Sequence, residues 1–237
     1  MPDTRSKKNK AGAVLLAAGL GKRLNAGTRK ANVLIGGKPV FYWPLMSLHR
    51  SPLIGEIALV VHAKDLEARR AFISRQKLSK RVHVVCGGPE RQDSVGLGLA
   101  ALDPAWPVLL VHDAARPFLD QDLIRRCVAA ALKGKAALTV IPVTDSIKLV
   151  SGNRLKALPR ERLLAAQTPQ AAEAGILRRA HAWARGRGIH HTDEAALLEA
   201  RGHECVPVAG YHQNFKITTP EDLLSARRLI KTFHFGR

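Results

Sequence analysis

A glycine-containing loop with cations close by is the clearest candidate for chemistry in this sequence. An apolar run at residues 13–18 ends at Gly19-Leu20-Gly21, and Lys22, Arg23 and Lys30 follow within the same stretch. Glycine lets the backbone turn sharply and lets amide N–H groups approach a phosphate. A buried strand, a permissive loop and cations together suit the phosphates of a nucleoside triphosphate. The alternative is an ordinary strand-to-helix connection with lysines on the surface.

The spacing within this loop excludes the two best-known phosphate motifs. Gly21-Lys22-Arg23 lacks the hydroxyl residue that a P-loop requires, and Leu24 stands where a dinucleotide fingerprint has its third glycine. The loop matches a third pattern instead, Gly-x-Gly-x-Arg followed seven residues later by lysine. That pattern is retained as a candidate phosphate-binding signature.

Asp113 is the candidate metal ligand, because it directly follows the apolar run at residues 108–112. A carboxylate at the end of a strand, beside a phosphate-binding loop, suits Mg²⁺, which prefers oxygen ligands and bridges phosphates. The alternative is that Asp113 caps a turn and pairs with Arg116. The position at a strand end favours the metal role.

Further polar residues are candidates for contacts with a nucleoside or with a second phosphate. Gly87-Gly88 leads into a helix that contains Ser94, whose hydroxyl suits either a base or ribose contact or a local helix cap. Hydroxyls and cations elsewhere suit a second phosphorylated substrate if the fold brings them into one cleft. These residues are Thr144, Ser146, Lys148, Arg160, Thr168, Thr192 and Lys216.

Strands that alternate with helices must position these groups. Apolar runs predict strands at residues 13–18, 56–62, 81–86, 108–112, 136–142, 205–209 and 215–218. Periodic segments predict helices at residues 40–49, 64–76, 91–102, 119–132 and 171–187, and further helices starting near residues 192 and 219. This alternation predicts an α/β fold with a mostly parallel sheet and with ligands beyond the carboxyl ends of its strands. Residues 143–166 break the rhythm and predict a projecting strand pair, a feature that often carries dimer contacts.

Composition indicates a single globular domain. The 237 residues are 46% hydrophobic and 24% charged, and we expect one domain at residues 12–237 behind a disordered basic tail at residues 1–11. The net charge of +19 favours anionic partners, but aromatic residues are only 5% and are not interleaved with a basic patch, so nucleic acid is not expected. No apolar run reaches the length of a membrane span. The spacing of the three cysteines fits buried free thiols in a reducing cytoplasm.

Eight ordered segments make the chain similar to a known enzyme family. From about residue 13 to residue 230 it resembles the 2-C-methyl-D-erythritol 4-phosphate cytidylyltransferases of the non-mevalonate isoprenoid pathway. The closely related ribitol 5-phosphate cytidylyltransferases are the alternative. The segments are LLAAGLGKRL, IGGKPV, GGPERQDSV, VHDAARPF, PVTDSIK, AQTPQ, TDEA and NFKITTPEDL.

This resemblance implies a fold, a reaction and a role for each candidate residue. The fold is a Rossmann-like nucleotidyltransferase sandwich, with residues 143–166 as a β-arm that embraces the partner in a homodimer. The reaction transfers CMP from CTP to a polyol phosphate and releases pyrophosphate, with Mg²⁺ as cofactor. The implied roles are catalysis by Arg23 and Lys30; CTP binding by Ala17, Ala18, Gly19, Gly21, Gly88 and Ser94; substrate positioning by Arg160, Lys216, Ser146, Thr168 and Thr192; and metal binding by Asp113.

The chain departs from the family pattern beside Lys30. The family usually has proline before this lysine and glutamine after it, whereas Arg29 and Ala31 stand there in this chain. Without the proline the loop is freer, and Arg29 adds positive charge near the triphosphate. A weakly active homologue that binds nucleotide without turnover is therefore a second hypothesis, from a different functional class.

Overall fold

The structure, a computed structural model, describes residues 7–19 and 30–233, and for Lys30 the backbone alone. Within these ranges the chain builds a seven-stranded sheet in the order β11-β7-β10-β6-β1-β4-β5. Its strands are β1 (Ala11–Ala17), β4 (Ile54–Val61), β5 (Arg81–Cys86), β6 (Val108–Asp113), β7 (Ala136–Pro142), β10 (Leu164–Glu173) and β11 (Cys205–Ala209). The predicted α/β architecture with a mostly parallel sheet is confirmed, since only β10 runs antiparallel to its neighbours.

Helices cover both faces of this sheet. They are α1 (Tyr42–Arg50), α2 (Leu66–Arg75), α3 (Arg91–Ala101), α4 (Gln121–Leu132), α5 (Ala174–Arg187), α6 (Glu194–Glu199) and α7 (Pro220–Leu229). Central strand β1 shows why two layers form: Leu15 packs into the core beneath α1, α2 and α4, while Val14 packs into the core beneath α3, α5 and α6. A strand buried on both faces reads as a continuous apolar run, which is the pattern that residues 13–18 display.

Strand β10 corrects the prediction that residues 171–187 are helical. Residues 164–173 insert between β6 and β7, and Ala171 lies opposite both Leu110 and Ala137. The helix begins only at Ala174. The register shifts between Ala166 and Gln170, so the proline within the strand falls at an irregularity. The segment is rich in alanine and glutamine, which have weak strand propensity, and its place between two strands overrides that preference.

Residues 215–218 are also corrected, because they were predicted to be a strand. They follow a 3₁₀ turn at His212–Asn214 and belong to no strand ladder in the described part of the chain. Ile217 instead donates one backbone hydrogen bond to the carbonyl of Ala115, at 2.8 Å, and is fully buried. The alternating apolar pattern thus reflects anchoring of this segment in the small core under α7.

A separate hairpin projects where the sequence predicts an arm. Strands β8 (Lys148–Ser151) and β9 (Arg154–Ala157) pair only with each other, and all of their residues are exposed. Val150 and Leu155 are 67% and 69% exposed, which is unusual for large apolar side chains. The dimer role of this arm stays a prediction. A shorter hairpin joins β2 (Leu34–Ile35) to β3 (Lys38–Pro39).

The predicted basic tail, residues 1–11, falls partly inside the described chain. Lys7 pairs with Asp103 and lies 4.9 Å from the centre of the Trp106 ring, and β1 already begins at Ala11. Residues 1–6 lie outside the described residues. None of the helices that the structure describes is both long enough and apolar enough to cross a bilayer.

Candidate active site

One corner of the site forms where β1 and β5 end. The backbone N–H of Gly88 donates to the hydroxyl oxygen of Ser94, at 3.1 Å, so Ser94 holds the loop that follows β5. A Cβ atom added to Gly87 would stand 2.8 Å from Ala18 Cβ and 2.8 Å from Ser94 Oγ, which leaves room only for glycine. The structure therefore brings Ala18, Gly88 and Ser94 together, with Ala17 at the end of β1 beside them.

Asp113 forms the charged centre at the end of β6, next to β1. Lys216 donates to Asp113 Oδ2 at 2.6 Å, and Arg91 donates to Asp113 Oδ1 at 3.3 Å. Burial by itself would raise the pKa of Asp113, but the two cations outweigh burial and hold that pKa well below its ordinary value. The group is thus a carboxylate at physiological pH, which is the form that binds a metal ion.

Arg91 is in turn held by a second carboxylate. Its guanidinium donates to Oε1 and Oε2 of Glu194 at 2.9 and 3.0 Å, a bidentate pair that fixes its orientation. Glu194 is 3% exposed at the start of α6, and burial raises its pKa. Asp193 caps the same helix by accepting from Ala196 N at 2.9 Å. Arg91 therefore joins α3, β6 and α6 at a single point.

The backbone of Asp113 is fixed by Thr168, which β10 carries. The Asp113 N–H donates to Thr168 Oγ1 at 3.1 Å, and the same hydroxyl lies 3.0 Å from His112 Nδ1. His112 Nε2 lies 3.0 Å from the carbonyl of Arg116, which can only accept, so Nε2 carries the proton and Nδ1 accepts from Thr168. Burial lowers the pKa of His112 to about 4, so the imidazole is neutral at pH 7.

A buried amide brings Lys216 to Asp113. Asn214 is fully buried, and its Nδ2 donates to the carbonyl of Thr168 at 2.8 Å and to Gln167 Oε1 at 3.1 Å. These bonds tie the 3₁₀ turn before Lys216 to strand β10. The side chain of Lys216 remains 38% exposed, so it faces both Asp113 and solvent.

A family model and curated relatives match this chain over most of its length. The family model described as 2-C-methyl-D-erythritol 4-phosphate cytidylyltransferase matches residues 11–232. The chain belongs to this family. A curated relative of that name from Halalkalibacterium halodurans is 39% identical over 92% of this chain and 95% of its own length. Another, from Geobacter metallireducens, is 39% identical over 92% of this chain and 97% of its own.

Solved structures agree with the family assignment. The 4-diphosphocytidyl-2C-methyl-D-erythritol synthase of Anaerococcus prevotii superposes with a TM-score of 0.83 at 28% identity, covering 94% of this chain and 99% of its own. The 2-C-methyl-D-erythritol 4-phosphate cytidylyltransferase of Thermus thermophilus gives 0.76 at 33% identity, covering 92% and 98%. The predicted family is confirmed.

Three residues predicted to bind the polyol phosphate take part in none of the described hydrogen bonds or ion pairs of Asp113. Arg160, whose side chain is 52% exposed, donates to the carbonyl of Thr144 at 2.9 Å and pairs with Glu161, both near the base of the arm. Ser146 is exposed in the same region, and Thr192 is exposed just before the Asp193 cap. Their roles stay predictions, as does the role of Thr168, whose hydroxyl already has two internal partners.

The catalytic residues predicted for the cytidylyltransferase reaction fall outside what the structure describes. Gly21 and Arg23 lie outside the described residues, and so does the side chain of Lys30, although its backbone starts a 3₁₀ turn. Gly19 is described and is exposed immediately after β1. The roles assigned to these four residues remain predictions.

Asp113 was also predicted to bind Mg²⁺, and its surroundings fit that ion when phosphates are present. Among the described residues, no group of three or more histidine, cysteine or acidic side chains could enclose a metal. Mg²⁺ in nucleotide enzymes instead takes one or two carboxylates and completes its shell with phosphates and water. A carboxylate whose pKa is held low, next to the partly exposed Lys216, meets that requirement, and the metal role stays a prediction.

The Arg91–Glu194 pair is a feature that the sequence did not indicate. Both residues occur in segments that carry the family resemblance, GGPERQDSV and TDEA, yet 103 positions separate them. Each side chain taken singly looks like a helix-terminal surface charge. No local spacing could have paired them.

Proposed function

We propose that this chain transfers CMP from CTP to 2-C-methyl-D-erythritol 4-phosphate, releasing pyrophosphate. The observation that carries the proposal is the contact of Lys216 and Arg91 with Asp113, at the strand ends where the Gly87-Gly88 loop also lies. Membership of a family named for this activity supplies the substrates.

The reaction needs positioning more than proton transfer. An oxygen of the methylerythritol phosphate bonds to the α-phosphorus of CTP, and the bond from that phosphorus to the β-phosphate bridging oxygen breaks. The attacking phosphate is already anionic at neutral pH, so no general base is required. Alignment of the two phosphates and neutralisation of their charge are the contributions left to the protein.

In our proposal, different residues align the phosphates, neutralise their charge and bind the cytidine. Asp113 would hold Mg²⁺, and the metal would supply charge neutralisation when it is bound. Lys216, whose ammonium group is partly exposed, binds the phosphate of methylerythritol phosphate. Arg23 and Lys30 neutralise the triphosphate, while Ala18, Gly88 and Ser94 frame the cytidine.

The projecting arm is the proposed dimer element. Leu149, Val150 and Leu155 expose 52%, 67% and 69% of their surface on β8 and β9, and a partner subunit would cover them. In a homodimer Arg160, which follows the arm, would reach the partner's cleft. We also place the reaction in the cytoplasm, which the three unpaired cysteines support.

A pyrophosphate-release assay tests the proposal. We expect product only when CTP, Mg²⁺ and methylerythritol phosphate are all present, and a loss of about 100-fold in Lys216→Gln, the size typical for removing one charge-stabilising donor. Lys133→Gln is the matched control, because Lys133 is exposed at the end of α4, just before β7 begins, and this is the edge of the sheet opposite the strand end that carries Asp113. No release with the full mixture, or faster release with ribitol 5-phosphate, would overturn the proposal.

A further inference from the structure

A cavity outside the Asp113 centre lies between α3 and α5. Its volume is about 330 Å³, at the lower end of the range for small-molecule pockets. The walls come from the outer face of α3 and the facing side of α5, and Gly88 and Pro89 close one end. We call it the α3/α5 cavity; its lining includes Gln92, Gly96, Ala100, Arg178, His181 and Arg185.

Small side chains leave this space open. Gly96, Ala100 and Ala182 line the cavity, and a Cβ atom added to Gly96 would come no closer than 3.9 Å to any atom, the nearest being His181 Nδ1. The lining is mostly apolar. Because α3 and α5 already bury their inner faces against the sheet, the fold does not require this outer gap to be filled or closed.

A neutral imidazole without partners stands in the wall of the cavity. His181 is only 7% exposed, and burial, followed by the nearby Arg91 charge, lowers its pKa to about 4. Its Nε2 is buried without a hydrogen-bond partner on the protein side, whereas Nδ1, the atom nearest to Gly96, is not among the buried unpaired atoms and lies on the cavity side of the ring. Nδ1 is therefore the ring atom to which a molecule in the cavity can hydrogen-bond.

The charge around the cavity favours an anion. Arg185 is exposed on the lining and makes no ion pair within the described ranges. Arg178 gives two of its nitrogens to the carbonyls of Leu99 and Leu102, at 2.5 and 3.1 Å. Although Asp103 and Glu56 lie nearby, no ion pair of the described chain includes Arg178. Asp93 is the acidic residue of the lining, and its carboxylate accepts from the backbone of Glu90 in the helix cap.

We propose that the α3/α5 cavity binds a small amphipathic anion and that its occupancy changes the affinity for CTP. The apolar body lies between Gly96 and Ala100, its acidic group pairs with Arg185, and a polar atom bonds to His181. The coupling arises because Gly88 and Pro89 belong both to the cavity and to the loop that Ser94 holds beside β1. Only this coupling rests on the proposed function; binding itself is independent of it.

Titration of the full chain with 1-anilinonaphthalene-8-sulfonate, an aromatic sulfonate, tests the binding. We expect saturable fluorescence from one site per chain, weakened at least tenfold in Gly96→Leu, which fills the cavity from α3. The matched control is Gly186→Leu on α5, where an added Cβ meets nothing within 4 Å, and it should bind as the unaltered chain does. Arg185→Gln should weaken binding about fivefold, the upper value for an exposed charge pair.

A second filling variant protects the test against a folding defect in the first. Ala182→Phe fills the same space from α5, and circular dichroism establishes that each variant is folded. Equal binding by the unaltered chain and by both folded filling variants would overturn the site. Calorimetry then measures CTP binding at saturating probe: a change of at least threefold that Gly96→Leu abolishes supports the coupling, and unchanged CTP affinity overturns it.

Discussion

Replacing Glu194 by glutamine keeps its shape but removes the charge that orients Arg91. In the native chain both carboxylate oxygens accept from the guanidinium, at 2.9 and 3.0 Å. The glutamine oxygen can still accept one of these bonds, whereas its amide NH₂ would face the other guanidinium N–H. Arg91 would then depend on Asp113, 3.3 Å away, for its charged partner.

The size of this effect follows from two opposing terms. Losing one charge-assisted hydrogen bond costs about 1.5–3 kcal/mol. Neutralising a buried carboxylate returns part of that cost, because burial already raises the pKa of Glu194. We expect a net loss of about 2 kcal/mol in the free energy of unfolding, which lowers Tm by about 4–8 °C for a chain of this length.

Differential scanning calorimetry measures this change, and the chain supplies a matched control. Glu199 is the exposed last residue of the same short helix, so Glu199→Gln should alter stability by no more than about 0.5 kcal/mol. We also expect pyrophosphate release by Glu194→Gln to fall, because an unrestrained Arg91 no longer holds Asp113 in place. If the two variants have the same Tm, the Arg91–Glu194 pair does not stabilise the site, and the reasoning fails.

Three further changes test other parts of the structure. Thr168→Val leaves the Asp113 N–H and the His112 ring without their shared hydroxyl, so urea titration should show a loss of about 1–3 kcal/mol; native-like stability would contradict the buried bond. Gly98→Ala places a Cβ 2.6 Å from Val14 Cγ1 and should lower the free energy of unfolding by about 1–3 kcal/mol. Its control, Gly186→Ala, meets no neighbour within 4 Å and should raise that free energy by about 0.5 kcal/mol. Equal urea midpoints for the two variants would refute the close approach of α3 to β1. The pKa of His181 falls from 6.5 to about 4 in the fold, so protonation of this ring does not weaken the fold above pH 6.5. At pH 5 the free energy of unfolding should be lower by about 2 kcal/mol. His181→Leu should therefore show a shallower dependence of stability on pH over this range, and parallel profiles would contradict a neutral buried ring.

The Asp113 centre is fixed by hydrogen bonds on its interior side, whereas its solvent-facing side chain, Lys216, can move. Backbone and side-chain bonds from Thr168, Asn214 and Glu194 fix it from the protein interior. Lys216, by contrast, approaches from the cleft and keeps part of its side chain in solvent. Phosphates entering the cleft would therefore meet a carboxylate of fixed position and a lysine that can change partners.

Local sequence signals were sufficient for most of the fold. The strands β5, β7 and β11 fall at the predicted residues, and the predicted runs at residues 13–18, 56–62 and 108–112 match β1, β4 and β6 within two residues. Parallel strands are buried on both faces, so each reads as an apolar run that ends in glycine or a polar group. The same signal placed the candidate loops at the carboxyl ends of the strands, where the structure has the Asp113 centre.

Contacts distant in the chain decided the rest. Strand β10 consists largely of residues with weak strand propensity and exists because β6 and β7 pair with it on both sides. Residues 215–218 alternate as a strand would, yet they are fixed by burial of Ile217 and a single backbone bond to Ala115. Periodicity cannot distinguish these cases, because it records which side chains are buried and not which backbone groups are paired.

The chain by itself thus determined the alternation of strands and helices, the family, and two of the residues that meet at the site, Asp113 and Lys216. Tertiary structure decided how those residues act on one another: Arg91 meets Glu194 across 103 positions, and Thr168 turns its hydroxyl to the Asp113 backbone. The physical reason is that apolar runs and glycines bias the local backbone, whereas a charge or a hydroxyl acquires its partner only when distant segments pack together.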